Sequence, residues 1–145
     1  MKKICLVVLV VLLAACSKNS DNNAVSKSVS HPASSVTAQA PFHKVLTPRQ
    51  VMRLIGETPD LLIVDVRSPQ ELKEGKLQNS VLIPFWDIMR GNYNLPKNRT
   101  ILLYCAIGGR SYAAMQIMAR KGYSKLYNLK GGIAQWKKEG LPVIY

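Results

Sequence analysis

The chain has 145 residues, of which 48% are hydrophobic and 19% are charged. This balance is typical of a globular protein and excludes a wholly disordered chain, and the length allows one small domain beside a targeting segment. Lysine and arginine outnumber aspartate and glutamate 20 to 8, which gives a formal net charge of +12. The basic residues are scattered and are not interleaved with an aromatic platform. They predict a solvated basic surface with, at most, weak attraction to anionic membranes, and no nucleic-acid partner.

The first residues have the order of features found in a secretory signal peptide. A positively charged start precedes the apolar residues 4–13, a run too short to span a bilayer, and small residues follow. The run closes with Leu-Ala-Ala-Cys at residues 13–16, which resembles the lipobox of bacterial lipoproteins. This resemblance implies cleavage after residue 15, lipidation of Cys16 and stable membrane anchoring through its acyl chains. A plain cleaved signal peptide with an incidental cysteine is the alternative.

Ser17 follows the lipobox cysteine, and by resemblance to the sorting rule of such lipoproteins a serine here favours the periplasmic side of the cell envelope, at the outer membrane. Residues 17–40 are rich in Ser, Asn, Ala, Val and Thr without a sustained period, which predicts a flexible polar tether. We therefore divide the chain into a signal peptide at 1–15, a lipidated cysteine with its tether at 16–40, and one folded domain at 41–145.

Helical and strand patterns alternate along the predicted domain. Thr47 and Pro48 are the capping residue and first-turn proline of a helix that ends at Gly56. The later apolar runs predict strands at 61–66, 80–83, 100–104 and 125–129. The segments between them predict helices at 68–75, 85–90, 111–121 and 133–139. Ser68 and Glu71 form the capping-box pattern that starts the first of these. Short apolar strands that alternate with helices indicate an α/β domain with a mainly parallel central sheet flanked by helices.

Cys105 is the one cysteine of the predicted domain, since Cys5 and Cys16 fall in the targeting segment. A lone thiol in an exported domain has no internal disulfide partner, so it is an inert core residue, an intermolecular partner or a reactive group. Cys105 follows the most strand-like segment, and the reactive sites of open α/β sheets lie beyond the carboxyl ends of the strands. This position favours a reactive group. No Cys or Asp stands at ligand spacing from His43, so no metal ion is expected.

The loop after Cys105 is suited to hold a thiolate. Gly108 and Gly109 let it curl and bring backbone amides close to a ligand, and Arg110 adds a positive charge with a planar donor fork. The helix predicted to begin at Ser111 directs its positive end toward the sulfur. Together these features predict a lowered pKa for the thiol and a nucleophilic sulfur atom.

Residues 104–111 read Tyr-Cys-Ala-Ile-Gly-Gly-Arg-Ser, which resembles the active-site motif of the rhodanese family, a cysteine followed by four residues, arginine and serine. Residues 65–67, 75–84 and 131–143 are similar to other motifs of the family in the right order, so the resemblance covers 44–145. It implies the three-layer rhodanese-like fold and a sulfurtransferase that needs no metal or organic cofactor. In that reaction the cysteine takes a sulfane sulfur from a donor, holds it as a persulfide and passes it to an acceptor.

The resemblance also implies roles for individual residues. Cys105 is the expected catalytic nucleophile. The residues expected to bind the substrate are Ala106, Ile107, Gly108, Gly109, Arg110 and Ser111. Asp65 and Arg67 are expected to support the loop structurally. Ala106 and Ile107 are uncharged where thiosulfate-using members often carry basic residues, which favours a persulfide donor.

The expected partners follow from the same resemblance. The donor would be a small anion such as thiosulfate, or a persulfide, and the acceptor would be a thiol or a protein. The membrane would be a partner through the lipid on Cys16. The protein itself is expected to be a monomer.

Two other functions fit parts of this pattern. A phosphatase of the related cell-cycle class uses the same fold, but its loop has five residues between cysteine and arginine, whereas four stand between Cys105 and Arg110. A non-catalytic binding module or a redox relay at the membrane would use the fold and the thiol without turnover. The sequence leaves this second alternative open.

Overall fold

The computed structural model describes residues 42–145. The signal peptide, the lipidation of Cys16 and the tether fall outside the described residues, so they stay predictions. No helix among residues 42–145 is long and apolar enough to cross a membrane.

A five-stranded sheet forms the centre of the described domain. Its strands are β1 Phe42–Leu46, β2 Leu62–Asp65, β3 Ser80–Leu82, β4 Ile101–Tyr104 and β5 Lys125–Leu129. The α-helices are α1 Pro48–Glu57, α2 Phe85–Arg90, α3 Gly109–Arg120 and α4 Gly132–Lys138, and a 3₁₀ helix spans Pro69–Glu74. The strand order is β1-β5-β4-β2-β3, and every pair is parallel. The predicted α/β domain with a parallel central sheet is confirmed.

The core consists of two apolar clusters, one on each face of the sheet. The neighbouring residues Leu102 and Leu103 of β4 are both fully buried, and they belong to opposite clusters because successive side chains of a strand point to opposite faces. The cluster around Leu103 includes Met118 of α3, and the cluster around Leu102 includes Trp136 of α4. The sheet is therefore covered on both faces, which explains the continuous apolar run of β4.

The strand β1 was not predicted, since the sequence patterns place the first element at Thr47. Its residues Phe42–Leu46 pair with Lys125–Leu129 of β5, so among residues 42–145 β1 is an edge strand, and its partner lies late in the chain. An edge strand is partly open to solvent, and the side chain of Val45 is exposed. The segment therefore lacks the continuous apolar run that identifies the central strands.

Helix α3 begins at Gly109 and not at Ser111, so the predicted extent of the loop is wrong. Gly108 is the N-cap residue with a φ of +95°, a backbone conformation that glycine adopts without a steric penalty. Its carbonyl oxygen accepts a hydrogen bond of 3.1 Å from the N–H of Tyr112 and closes the first turn. Arg110 consequently lies in the first turn of a helix, where its position is fixed more firmly than in a loop.

Two predicted helix starts carry the expected capping residues. The N–H of Gln50 donates to Thr47 Oγ1 at 3.4 Å, and the N–H of Thr47 donates to Gln50 Oε1 at 2.9 Å. At the 3₁₀ helix, the N–H of Ser68 donates to Glu71 Oε2 at 2.9 Å. Such reciprocal bonds satisfy the free N–H groups of a first turn. The bond between Ser68 and Glu71 also fixes the direction of the Glu71 side chain, which reaches the candidate site.

Candidate active site

Cys105 directly follows β4 at the carboxyl end of the sheet, where the sequence predicted a reactive site. Strand β4 lies between β5 and β2 in the sheet, so the thiol lies at the middle of this edge. The residue is 1% exposed, and it is a free cysteine. The loop between β4 and α3 therefore controls access to the sulfur.

Backbone and side-chain donors of this loop surround the sulfur atom. The N–H of Gly108 donates to Cys105 Sγ at 3.1 Å, and Ser111 Oγ lies 3.5 Å from the same atom. Burial raises the pKa of the Cys105 thiol, but hydrogen bonds from Ser111, Ile107 and Gly108 lower it by more, so the resulting pKa is below the ordinary value. Hydrogen bonds to the charged form favour that form. The arrangement thus stabilises a thiolate.

The carbonyl oxygens of the loop are held by a second set of contacts. The oxygen of Cys105 accepts from the N–H of Ile133 at 2.9 Å, and that of Ala106 accepts from the N–H of Ala134 at 3.0 Å. The oxygen of Gly108 accepts from Asn128 Nδ2 at 3.3 Å. With its carbonyl groups bound to α4 and β5, the loop can direct its amides inward. Sequence reasoning did not find this contribution of α4 and Asn128.

Gly132 makes this contact with α4 possible, because a Cβ atom there would overlap the carbonyl oxygens of Cys105 and Ala106, and its φ is +59°. We expect Gly132→Ala to lower the free energy of unfolding by about 2–3 kcal/mol, measured by urea unfolding. Gly56→Ala is the matched control, since a Cβ at Gly56 meets no atom within 4 Å and alanine in a helix stabilises by about 0.5–1 kcal/mol relative to glycine. Equal effects of the two substitutions would contradict the close approach of α4.

Arg110 does not present a free charge to the site, as the sequence had suggested, but is paired with Glu71. Its Nη1 donates to Glu71 Oε2 at 2.8 Å and its Nη2 donates to Glu71 Oε1 at 2.6 Å. The two side chains are 36% and 24% exposed. Hydrogen bonds from Arg110 are the main cause that lowers the pKa of Glu71 from 4.5 to about 2. The capping pattern at Ser68 predicted the helix start, but nothing local in the sequence indicated this partner.

The ion pair between Glu71 and Arg110 makes the free energy of unfolding depend on pH in a way that can be tested. Because the pKa of Glu71 is about 2 in the folded state, its contribution is fully present above the ordinary carboxyl pKa and is lost as the pH falls toward the folded-state value. We expect Glu71→Gln to be less stable than the unmodified chain by about 1–2 kcal/mol near neutral pH, allowing for the partial exposure of the pair. Urea unfolding at descending pH should show this difference shrink, and a difference independent of pH would contradict the charged pair.

Asp65 and Arg67 form a buried ion pair with side-chain exposures of 1% and 0%. Arg67 Nε lies 3.0 Å from both carboxylate oxygens of Asp65, and Nη2 donates to Oδ2 at 2.8 Å. Further bonds run from Nη1 to the carbonyl oxygen of Glu71 at 3.1 Å and from Nη2 to that of Gly75 at 2.8 Å. The pair thus fixes the 3₁₀ helix that carries Glu71. Neither side chain has a hydrogen bond to Cys105 among the described contacts, which is consistent with structural support.

Two large side chains at the loop and the start of α3 are exposed to solvent. The side chain of Ile107 is 75% exposed, and Tyr112 of α3 is also exposed. Of the predicted site residues, Ile107, Gly108 and Ser111 contribute hydrogen bonds to the sulfur of Cys105. Cys16 falls outside the described residues. Within residues 42–145, no group of three or more His, Cys, Asp or Glu side chains is placed to hold a metal ion.

Comparison with known proteins gives consistent matches. Residues 47–139 match the family model of the rhodanese-like domain. A sulfurtransferase of Allochromatium vinosum is 36% identical over 90 residues, which are 62% of this chain and 84% of that protein. The probable adenylyltransferase/sulfurtransferase MoeZ of Mycobacterium tuberculosis is 35% identical over 107 residues, which are 72% of this chain and 27% of that protein. The crystal structure of a rhodanese-related protein from Thermoplasma volcanium has a TM-score of 0.62 and 29% identity, covering 70% of this chain and 97% of that one.

Proposed function

The chain belongs to the rhodanese-like domain family, and on that premise we propose that it is a sulfurtransferase that carries sulfur as a persulfide on Cys105. The observation that carries the proposal is the environment of the thiol, with Gly108 N–H and Ser111 Oγ at 3.1 and 3.5 Å from the sulfur and a lowered pKa. The sulfurtransferase from Allochromatium vinosum, with 36% identity, supports the same activity.

The first half-reaction loads the protein with sulfur. The Cys105 thiolate attacks the sulfane sulfur of the donor, a new S–S bond forms on Cys105, and the donor's own S–S bond breaks. The leaving group departs with the electron pair, as sulfite from thiosulfate or as a thiolate from an organic persulfide. A thiolate formed at neutral pH is the effective nucleophile in such a step.

The second half-reaction returns the protein to its starting state. A nucleophilic acceptor, such as a thiolate, attacks the outer sulfur of the Cys105 persulfide, and the Cys105 thiolate leaves with the electron pair. The N–H of Gly108 and the start of α3, which stabilise the thiolate before the reaction, would stabilise it again as a leaving group. The reaction moves one sulfur atom and leaves no net oxidation of the protein.

A persulfide is the favoured donor in this proposal. Ala106 and Ile107 contribute no charge to the loop, and the charge of Arg110 is compensated by Glu71. The exposed side chain of Ile107 offers an apolar contact on the loop, which suits an organic or protein-bound persulfide better than a small, strongly hydrated anion.

Turnover separates an enzyme from a binding module or relay. The full chain should convert a donor and cyanide into thiocyanate in an amount that far exceeds the amount of protein, with the persulfide of an alkyl thiol used faster than thiosulfate. A yield that stops at one sulfur per protein would instead support a carrier without turnover. Release of phosphate from an aryl phosphate, with no transfer of sulfur, would support the phosphatase alternative.

We also propose that the domain acts on the periplasmic side of the cell envelope, as a monomer held by a lipid on Cys16. The lipobox at residues 13–16 supports this location. Metabolic labelling with a fatty acid should mark the unmodified chain and fail to mark Cys16→Ala. Equal labelling of the two would rule out lipidation at this cysteine.

A further inference from the structure

The hydrogen bonds of Arg110 with Glu71 affect which charge the sulfur donor can carry. An arginine recognises an anion through the two parallel N–H groups of its guanidinium fork. In this site, Nη1 and Nη2 of Arg110 each donate to a separate oxygen of Glu71, at 2.8 and 2.6 Å. The edge of the guanidinium formed by Nη1 and Nη2 is therefore already occupied by a carboxylate of the same chain.

The carboxylate of Glu71 is fixed by contacts that do not depend on Arg110. The N–H of Ser68 donates to Oε2 at 2.9 Å, and Arg67 Nη1 donates to the carbonyl oxygen of Glu71 at 3.1 Å. Arg67 is itself fully buried and paired with Asp65. An incoming anion that displaced Glu71 from Arg110 would leave this carboxylate close to the ligand, because its backbone and one of its oxygens remain bound.

The charges next to the sulfur consequently sum to a negative value when the thiol is ionised. Arg110 interacts electrostatically with both Glu71 and Cys105, so one positive charge faces a carboxylate and a thiolate. Like charges at short distance repel appreciably even in a partly solvated site. Thiosulfate brings two further negative charges, whereas the persulfide of a neutral alkyl thiol brings no more than one.

We propose that Glu71 is a specificity-determining residue, which by holding the guanidinium fork of Arg110 disfavours dianionic sulfur donors relative to donors of lower charge. This inference rests on the proposed transfer of sulfur through Cys105. The carboxyl group has a pKa of about 2, so it is ionised at any pH near neutrality and the selection does not vary with pH in that range.

Alkylation of Cys105 measures the effect of charge without any sulfur transfer. Iodoacetate and iodoacetamide react with a thiolate by the same displacement of iodide, but only iodoacetate is an anion. The rate constants would be determined on the full chain by mass spectrometry of the peptide that contains Cys105. Removing one nearby negative charge in Glu71→Gln should raise the iodoacetate-to-iodoacetamide ratio by about three- to tenfold.

Glu74→Gln is the matched control, since Glu74 belongs to the same 3₁₀ helix and its side chain is exposed. The iodoacetate-to-iodoacetamide ratio of this variant should stay within about twofold of the ratio in the unmodified chain, because a solvated charge is strongly screened. Glu71→Asp retains the charge on a shorter side chain, and its ratio should remain low. Glu71→Ala removes the carboxylate without adding an amide and should repeat the result of Glu71→Gln. An unchanged ratio in both neutral variants would overturn the inference and leave Glu71 a purely structural role.

The rates of reaction with the two sulfur donors provide a second measurement. The kcat/KM for thiosulfate, divided by that for an alkyl persulfide, should rise in Glu71→Gln by a factor similar to the alkylation ratio. If the persulfide forms on Cys105 but this quotient does not change in Glu71→Gln, the proposed role of Glu71 is wrong and the proposed function stands. If the unmodified chain accepts sulfur from neither donor, the proposed function fails, and the alkylation ratio alone decides whether Glu71 selects against anions.

Discussion

Replacing Cys105 by serine is expected to lower the rate of sulfur transfer by at least about a thousandfold, since removal of a nucleophile has effects of this size in other covalent mechanisms. A serine hydroxyl is not ionised near neutral pH and does not form a stable sulfur adduct. The side chains are close in size, and the N–H of Gly108, 3.1 Å from the sulfur, would still find an acceptor. The free energy of unfolding should therefore change by less than about 1.5 kcal/mol.

Thiocyanate formation and urea unfolding measure the two effects separately. Ser111→Ala provides a graded comparison, because it keeps the thiol but removes a group 3.5 Å from the sulfur that lowers the pKa of Cys105. Its rate should fall near neutral pH and recover as the pH rises, since more thiolate then forms. Residual transfer in Cys105→Ser equal to that of Ser111→Ala would contradict the assignment of Cys105 as the nucleophile.

Replacing Arg67 by methionine is expected to lower the free energy of unfolding by about 3–5 kcal/mol, the range found when one partner of a buried ion pair is removed. Asp65, with a side chain that is 1% exposed, would be left as an unpaired buried charge. The carbonyl oxygens of Glu71 and Gly75 would also lose their donors, at 3.1 and 2.8 Å. Since these contacts fix the 3₁₀ helix, the Glu71–Arg110 pair should be disturbed as well.

Arg49→Met is the matched control for this prediction. Arg49 Nε lies 3.8 Å from Glu139 Oε2, and its side chain is 81% exposed. An exposed pair of this kind contributes about 0–1 kcal/mol, so urea unfolding should show a small effect. If Arg67→Met were no more destabilising than Arg49→Met, the buried pair with Asp65 would not support the site in the way described.

The fold was predictable from the sequence where a single segment carries its own signal. The apolar run of β4 and the capping residue Thr47 are local features, and both indicate the right element. The strand β1 has no such signal, because its pairing with β5 joins residues more than eighty positions apart and leaves Val45 exposed. Edge strands of this type depend on a partner that the local sequence does not show.

The site was predictable to a similar extent. The position of Cys105 at a strand end and the glycines after it predict a reactive thiol with a lowered pKa, and the direction of the pKa agrees with the structure. The pairing of Arg110 with Glu71 was missed, because it joins residues 39 positions apart. The role of Gly132 was also missed, since its reason is the approach of α4 to the carbonyl oxygens of the loop. Both contacts exist only in the folded domain.

The mass of the intact protein after exposure to a persulfide donor shows directly whether Cys105 carries sulfur. We expect a gain of one sulfur atom, located at Cys105 by peptide mapping, which disappears when cyanide or a thiol acceptor is added. Cys105→Ser should show no gain under the same conditions. If the unmodified chain gains no sulfur, or if the added sulfur maps to a cysteine other than Cys105, Cys105 is not the sulfur carrier.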